Sequence, residues 1–241
     1  MRTKDNEIMN GTKHRNNQAG CNIGTTMNQL ISILFFLSTT LVCVGQNNHL
    51  QPAKSFKQYT GDLKDYYDSV FPKLYEGFSQ LPYARYTSMP SFSPQYAFSI
   101  ETINNKHYIV SNSFSENYWY AGYDEKGNMD NKRRNRVKIS TIKTEINNDL
   151  YLKVGELFQL LAEQTKKPEE EIMGLDGVTY YFATTNKNGD ITIGETWSPR
   201  NNSLLDRVVK VCDSLCDLGS GKDISQTKIL QEIEKIIKGM N

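Results

Sequence analysis

The sequence predicts an α+β fold: one antiparallel sheet of about six strands with helices packed on one face. Three observations predict it. Short alternating segments are joined by turn-forming residues, and strands joined so closely run antiparallel. Helical and strand-like patterns fall in separate runs rather than in regular alternation. Aromatic residues are plentiful, 14 Tyr and 10 Phe in 241 residues, and suit sheet surfaces and the cores beneath them.

Taken in order, "GDLKDYYDSVFPKLYEGF" sets Leu63, Tyr66, Tyr67, Val70, Leu74 and Phe78 at helical spacing. Pro72 removes a backbone donor inside that pattern, which predicts a kink or two short helices. "SQLPYARYTSMPSFSP" carries Pro82, Pro90 and Pro94 and reads as an extended connector. "QYAFSIETI" and "KHYIVSNSF" alternate as strands around Asn104 and Asn105, which tolerate the positive φ of a tight turn. "ENYWYAGY" reads as a third strand of this block and "NRVKISTIKT" as a fourth, with "DEKGNMDNKRR" as a hydrated loop between them.

Helical period returns in "NNDLYLKVGELFQLLAEQ", with Asn147 or Asn148 placed to cap it, and "KPEEEIMG" adds a further turn ended by Gly174. "YYFATTNKNGDITIGETWSP" is a hairpin turning at Asn188-Gly189. "SLLDRVVKVCDSLCDLG" is a helix with capping-box spacing at Ser203 and Asp206, ended by Gly219. A last helix sets Ile229, Ile233, Ile236 and Ile237 on one face.

Upstream, "LISILFFLSTTLVCVG" over 30–45 is an uncharged, mostly apolar run. It is short of the roughly 20 residues of a membrane span and suits the centre of a secretory signal. Cleavage is expected between Gly45 and Gln46; Met27 is an alternative start, and lipid attachment at Cys43 an alternative fate. The expected organisation is 1–45 as extension and signal, 46–56 as a flexible linker and 57–241 as one domain. The signal implies a periplasmic or secreted protein. Membrane contact would come only through an uncleaved signal or a lipid at Cys43. A net charge of +1 gives no long-range attraction to nucleic acid.

The hairpin raises the main functional question. With a two-residue turn, Phe182 faces Glu195 and Tyr180 faces Trp197; a three-residue loop sets Glu195 against Tyr181 and Ala183 instead. In each register Ile191, Ile193, Glu195 and Trp197 share a side. A carboxylate on an apolar stripe is a solvated rim residue, a raised-pKa acid, or a ligand contact beside an indole platform. Catalysis on glycans would need a second carboxylate within about 5–10 Å, and Glu101 and Glu145 are the other acids in or at the end of strands. His107 is the one histidine of the expected domain and the other candidate proton carrier. No metal-ligand spacing or nucleotide loop is present, so no cofactor or metal is expected. Cys212 and Cys216 read as small buried residues, and "NKRRNRVK" over 131–138 as a hydrated basic loop.

"PSFSPQYAFSIE", "ELFQLLAEQT", "GLDGVTYYF" and "GETWSP" together resemble an uncharacterised family of secreted proteins from Bacteroidota-type bacteria. The resemblance implies export and a shared fold and carries no catalytic role. It singles out Gly174, Asp176, Gly177, Glu195, Trp197 and Pro199 for mutation. The resulting expectation is an exported binding module without catalytic activity. It would meet a protein or glycan of the cell envelope through Tyr180, Glu195 and Trp197. The rival expectations are an envelope- or glycan-directed hydrolase using Glu195 with His107 or a second carboxylate, and an immunity-like inhibitor of a secreted toxin.

Overall fold

A computed structural model of the chain describes residues 48–168 and 176–240. The expected signal, its cleavage point, Cys43, most of the turn over 167–174, and Gly174 lie outside the described residues.

The protein is α+β, built on one antiparallel sheet of seven strands in the order β1-β7-β6-β2-β3-β4-β5. The strands are β1 (Gln51–Pro52), β2 (Arg85–Pro90), β3 (Tyr96–Ile103), β4 (Lys106–Phe114), β5 (Ile139–Ile146), β6 (Val178–Thr185) and β7 (Ile191–Trp197). The helices are α1 (Gly61–Leu74), the short α2 (Asn131–Arg134), α3 (Asn148–Glu163), α4 (Leu204–Gly219) and α5 (Gln226–Met240). As expected, the β3–β4 turn sits on Asn104 and Asn105, both at positive φ. Asn147 caps α3 by accepting from the Leu150 N–H, and Ser203 caps α4 by accepting from the Asp206 N–H.

Both faces of the sheet are packed. On one, α3, α4 and α5 bury Val154, Phe158, Val208, Leu215 and Ile233 against Tyr86, Phe98, Ile109 and Phe182. On the other, α1 buries Tyr66, Val70 and Leu74 against Ala97, Phe114 and Tyr118. The three later helices cover one face as expected, and the first covers the opposite one. The alternation of β3 requires this, because Phe98 and Ala97 point to opposite sides and both are buried.

Several local expectations are corrected. The proline-bracketed connector contains β2, which lies in the middle of the sheet between β3 and β6. Its prolines frame the strand rather than break it: Pro82 precedes it, Pro90 is its last residue and Pro94 precedes β3. "ENYWYAGY" is not a strand. Asn117 Oδ1 accepts the N–H groups of Trp119 and Tyr120 and turns the chain into a 3-10 segment, Tyr120–Gly122. Pro72 does not divide α1, because the helix ends two residues later and the lost donor falls in the final turn. Asn112, reaching from β4, donates to the Leu74 and Glu76 carbonyls and secures that end. In the basic cluster, Arg134 is 2% exposed and lies over the Tyr118 ring rather than in water. The expected linker is structured from residue 48 onward: Leu50 is buried in the main core and β1 pairs with β7.

Candidate functional site

The β6–β7 connection sets the site. Asn186 N–H donates to the Asp190 carbonyl, and Gly189 N–H donates back to the Asn186 carbonyl. Gly189 sits at φ +88°, the left-handed position that closes a three-residue connection. Of the registers left open by the sequence, this selects Glu195 opposite Tyr181, with Ala183 opposite Ile193 and Thr179 opposite Trp197. Tyr180 therefore pairs with Thr196 and points to the other face, where it stacks on Tyr86 at 5.9 Å. The expected surface of Tyr180, Glu195 and Trp197 does not form, because a one-residue change of register moves a side chain across the sheet.

Glu195 is 5% exposed and holds the segment that passes over it. Its Oε2 accepts from the Lys54 N–H at 3.1 Å and its Oε1 from Gln51 Nε2 at 3.2 Å. Burial raises its pKa above the ordinary value of 4.5, and the bonds from Lys54 and Gln51 oppose the rise. The carboxylate acts as a clasp for the first strand. Tyr181, its partner across the ladder, and Tyr67 are pushed up by burial, Tyr67 to about 12.

The clasp completes a cleft of about 790 Å³ on the α1 face. The strap over 52–57 forms one wall, α1 a second, and the α1 face of β2, β6 and β7 the floor. Phe56 stacks on Tyr67 at 4.3 Å and meets Phe71 at 5.2 Å and the edge of Tyr181 at 6.0 Å. Tyr75 is fixed by a 2.8 Å hydrogen bond between its hydroxyl and that of Thr87. Ile191 and Ile193 line the cleft and each remain 46% exposed.

Arg85 also lines the cleft, though only 9% exposed. Its guanidinium lies 4.7 Å from the Tyr75 ring centroid and 5.4 Å from that of Phe78. Nη2 donates to the Ser79 carbonyl, while the buried Nε–H has no partner among the described residues. No described carboxylate forms an ion pair with it. Glu101 is bound to the Ser79 N–H at 3.0 Å instead. Burial lowers the Arg85 pKa, against the influence of Tyr75 and Glu101, but a guanidinium stays charged.

No protein-family model, no curated protein and no solved structure matches this chain.

The remaining predicted residues are dispersed. His107 lies in β4 on the face opposite Glu195, stacked on Tyr151 at 3.6 Å and hydrogen-bonded to Thr102. Glu101 is three strands from Glu195, about 14 Å sideways at the usual strand spacing, and Glu145 is farther and ion-paired to Lys106. Neither supplies a second carboxylate at catalytic range. Trp197 shares the Glu195 side and packs on Gly177, where a Cβ would come within 2.7 Å of the indole nitrogen. Among the described residues, no group of three His, Cys, Asp or Glu could hold a metal. Sequence reasoning missed Arg85 and the strap. An isolated arginine between tyrosines in a proline-flanked stretch carries no pattern, and Phe56 reaches Tyr67 and Phe71, a pair four apart on α1, through the strap rather than by period.

Proposed function

We propose that this protein is an exported binding module whose site is the cleft beneath the 52–57 strap. The observation that carries the reading is a formed concavity of ligand size, walled by three separate segments, with large apolar side chains left open to solvent within it. Glu195, the strongest catalytic candidate in the sequence, is engaged in holding the strap and has no acidic or histidine partner near it among the described residues. That supports binding over hydrolysis. The occupant belongs to the cell envelope, since the apolar run over 30–45 and the resemblance to secreted proteins favour export. Cleavage after Gly45 would leave Leu50 and the strap on the mature chain.

The test of the cleft is Ile193→Asp. The side chain is exposed, so the fold should survive with an unchanged far-ultraviolet circular dichroism spectrum. Binding of an apolar fluorescent probe should fall at least about tenfold, because a charge replaces apolar surface within the site. Undiminished probe binding by the folded variant would refute the cleft as the site. Export is tested by intact mass of the protein from the periplasm or medium, with Gln46 expected as first residue; a retained 30–45 segment would refute the processing.

A further inference from the structure

We infer that the cleft takes a small amphiphile with an apolar body and one anionic head, and that Arg85 receives the head. This rests on the cleft being the binding site and names what enters it. Arg85 is a cation nine-tenths removed from water, without an ion pair to a described carboxylate and with an N–H lacking any described partner. Burying a charge without an ion pair is costly even with Glu101 at longer range, and the cost is recovered when an anion docks. The planar guanidinium is held edge-on by Ser79 and face-on by Tyr75 and Phe78, so its direction is set before a ligand arrives. Such a fork suits the two oxygens of a carboxylate.

The rest of the cleft agrees in charge and in polarity. Lys57 stands on the strap beside it, and the one acidic side chain among its described lining residues, Asp68, is tied to Lys64. The field over the opening therefore favours an anion. The floor and strap are apolar through Phe56, Phe71, Tyr181 and Ile193, which suits a hydrocarbon or aryl body and disfavours a bare phosphate or a polyanion. One cation sits deep in the cleft, so one charge on the ligand is matched.

The experiment compares dodecanoate with dodecanol, equal in chain length and different in head charge, by isothermal titration of the full chain below their aggregation limits. Dodecanoate should bind at least about tenfold tighter than dodecanol, the scale of a hydrogen bond to a charged group. Arg85→Gln should weaken dodecanoate by about tenfold to hundredfold and leave dodecanol within about twofold. Ile193→Asp should weaken both, which separates cleft binding from adsorption elsewhere on the chain. Equal affinities for acid and alcohol, both lost in Ile193→Asp, would overturn the anionic head while leaving the cleft in place. Binding of neither, or binding indifferent to Ile193→Asp, would overturn the cleft reading and this inference with it. Should Arg85→Gln fail to fold, the acid–alcohol comparison on the unaltered protein still decides.

Discussion

At the scale of single residues, two buried charges do different things. Glu195 is satisfied, with an acceptor oxygen for each of two donors, and it ties Gln51 and Lys54 to β7. Arg85 is held in place without an ion pair to a described carboxylate, Glu101 acting on it only at longer range, and its Nε–H has no described partner. The pKa of Glu195 makes its contribution testable. A carboxyl whose folded value lies above 4.5 contributes stability below that ordinary value, and the contribution is lost as pH rises through the folded value. Ionised Glu195 is thus the costlier form. Glu195→Gln keeps an acceptor for the Lys54 N–H and removes the charge. Its melting temperature relative to the parent should rise between about pH 4 and about pH 8. A variant that loses more stability at the higher pH would show that the carboxylate is stabilised in its ionised form by the strap.

At the scale of elements, close approach of helix to sheet decides several residue choices. Gly219 at the end of α4 rests on β4, where a Cβ would fall 2.1 Å from Ser111 Oγ and 2.6 Å from Ile109 Cγ2. Both neighbours are buried side chains of β4, between β3 and β5, and have little room to yield. Gly219→Ala should cost about 1–3 kcal/mol by overpacking, read from urea unfolding. Gly239→Ala in α5 meets nothing within 4 Å and serves as the control for helix propensity, expected to be neutral or stabilising by up to about 1 kcal/mol. A neutral Gly219→Ala would mean that α4 and β4 separate without cost. Elements with strong period were legible in the sequence: α3, α4, α5 and the β3–β4 hairpin all follow from apolar spacing, caps and turn residues. β2 was not, because a strand buried on both faces has no polar side to alternate with, and in "RYTS" Tyr86 and Thr87 find hydrogen-bond partners only in the folded chain. The site was half legible. The stripe of Ile191, Ile193, Glu195 and Trp197 follows from period two, but the partner face hung on the connection length at Gly189. Three apolar-periodic helices announced a core, whereas the cleft arises from a short strap whose place is fixed by Leu50 and Glu195, some 145 residues apart in sequence.

At the scale of the whole molecule, the sheet separates two cores of unequal size, and the site lies over the smaller one. The helical side buries a continuous apolar layer from α3, α4 and α5, while the α1 side leaves the floor near β7 uncovered. The outer edge of β5 is blunted by Lys143 and Glu145, and the β7 edge is partly closed by β1, so neither end offers a long apolar ladder for self-association. The two described cysteines report on the larger core. Cys212 is fully buried and Cys216 6% exposed, both free, with burial pushing their thiols well above the ordinary value. α4 lies between the sheet and α5, and its last turn, which carries Cys216, is held by the Ser111 and Ser220 hydroxyls donating to the Cys216 carbonyl. Ellman's reagent should therefore label neither in the native chain bearing residues 46–241. In urea both should react at one rate whose dependence on denaturant matches the slope of global unfolding. Rapid labelling without urea, or a shallower slope, would mean that α4 lifts from the sheet as a local unit and that the rigid floor required beneath the cleft is absent.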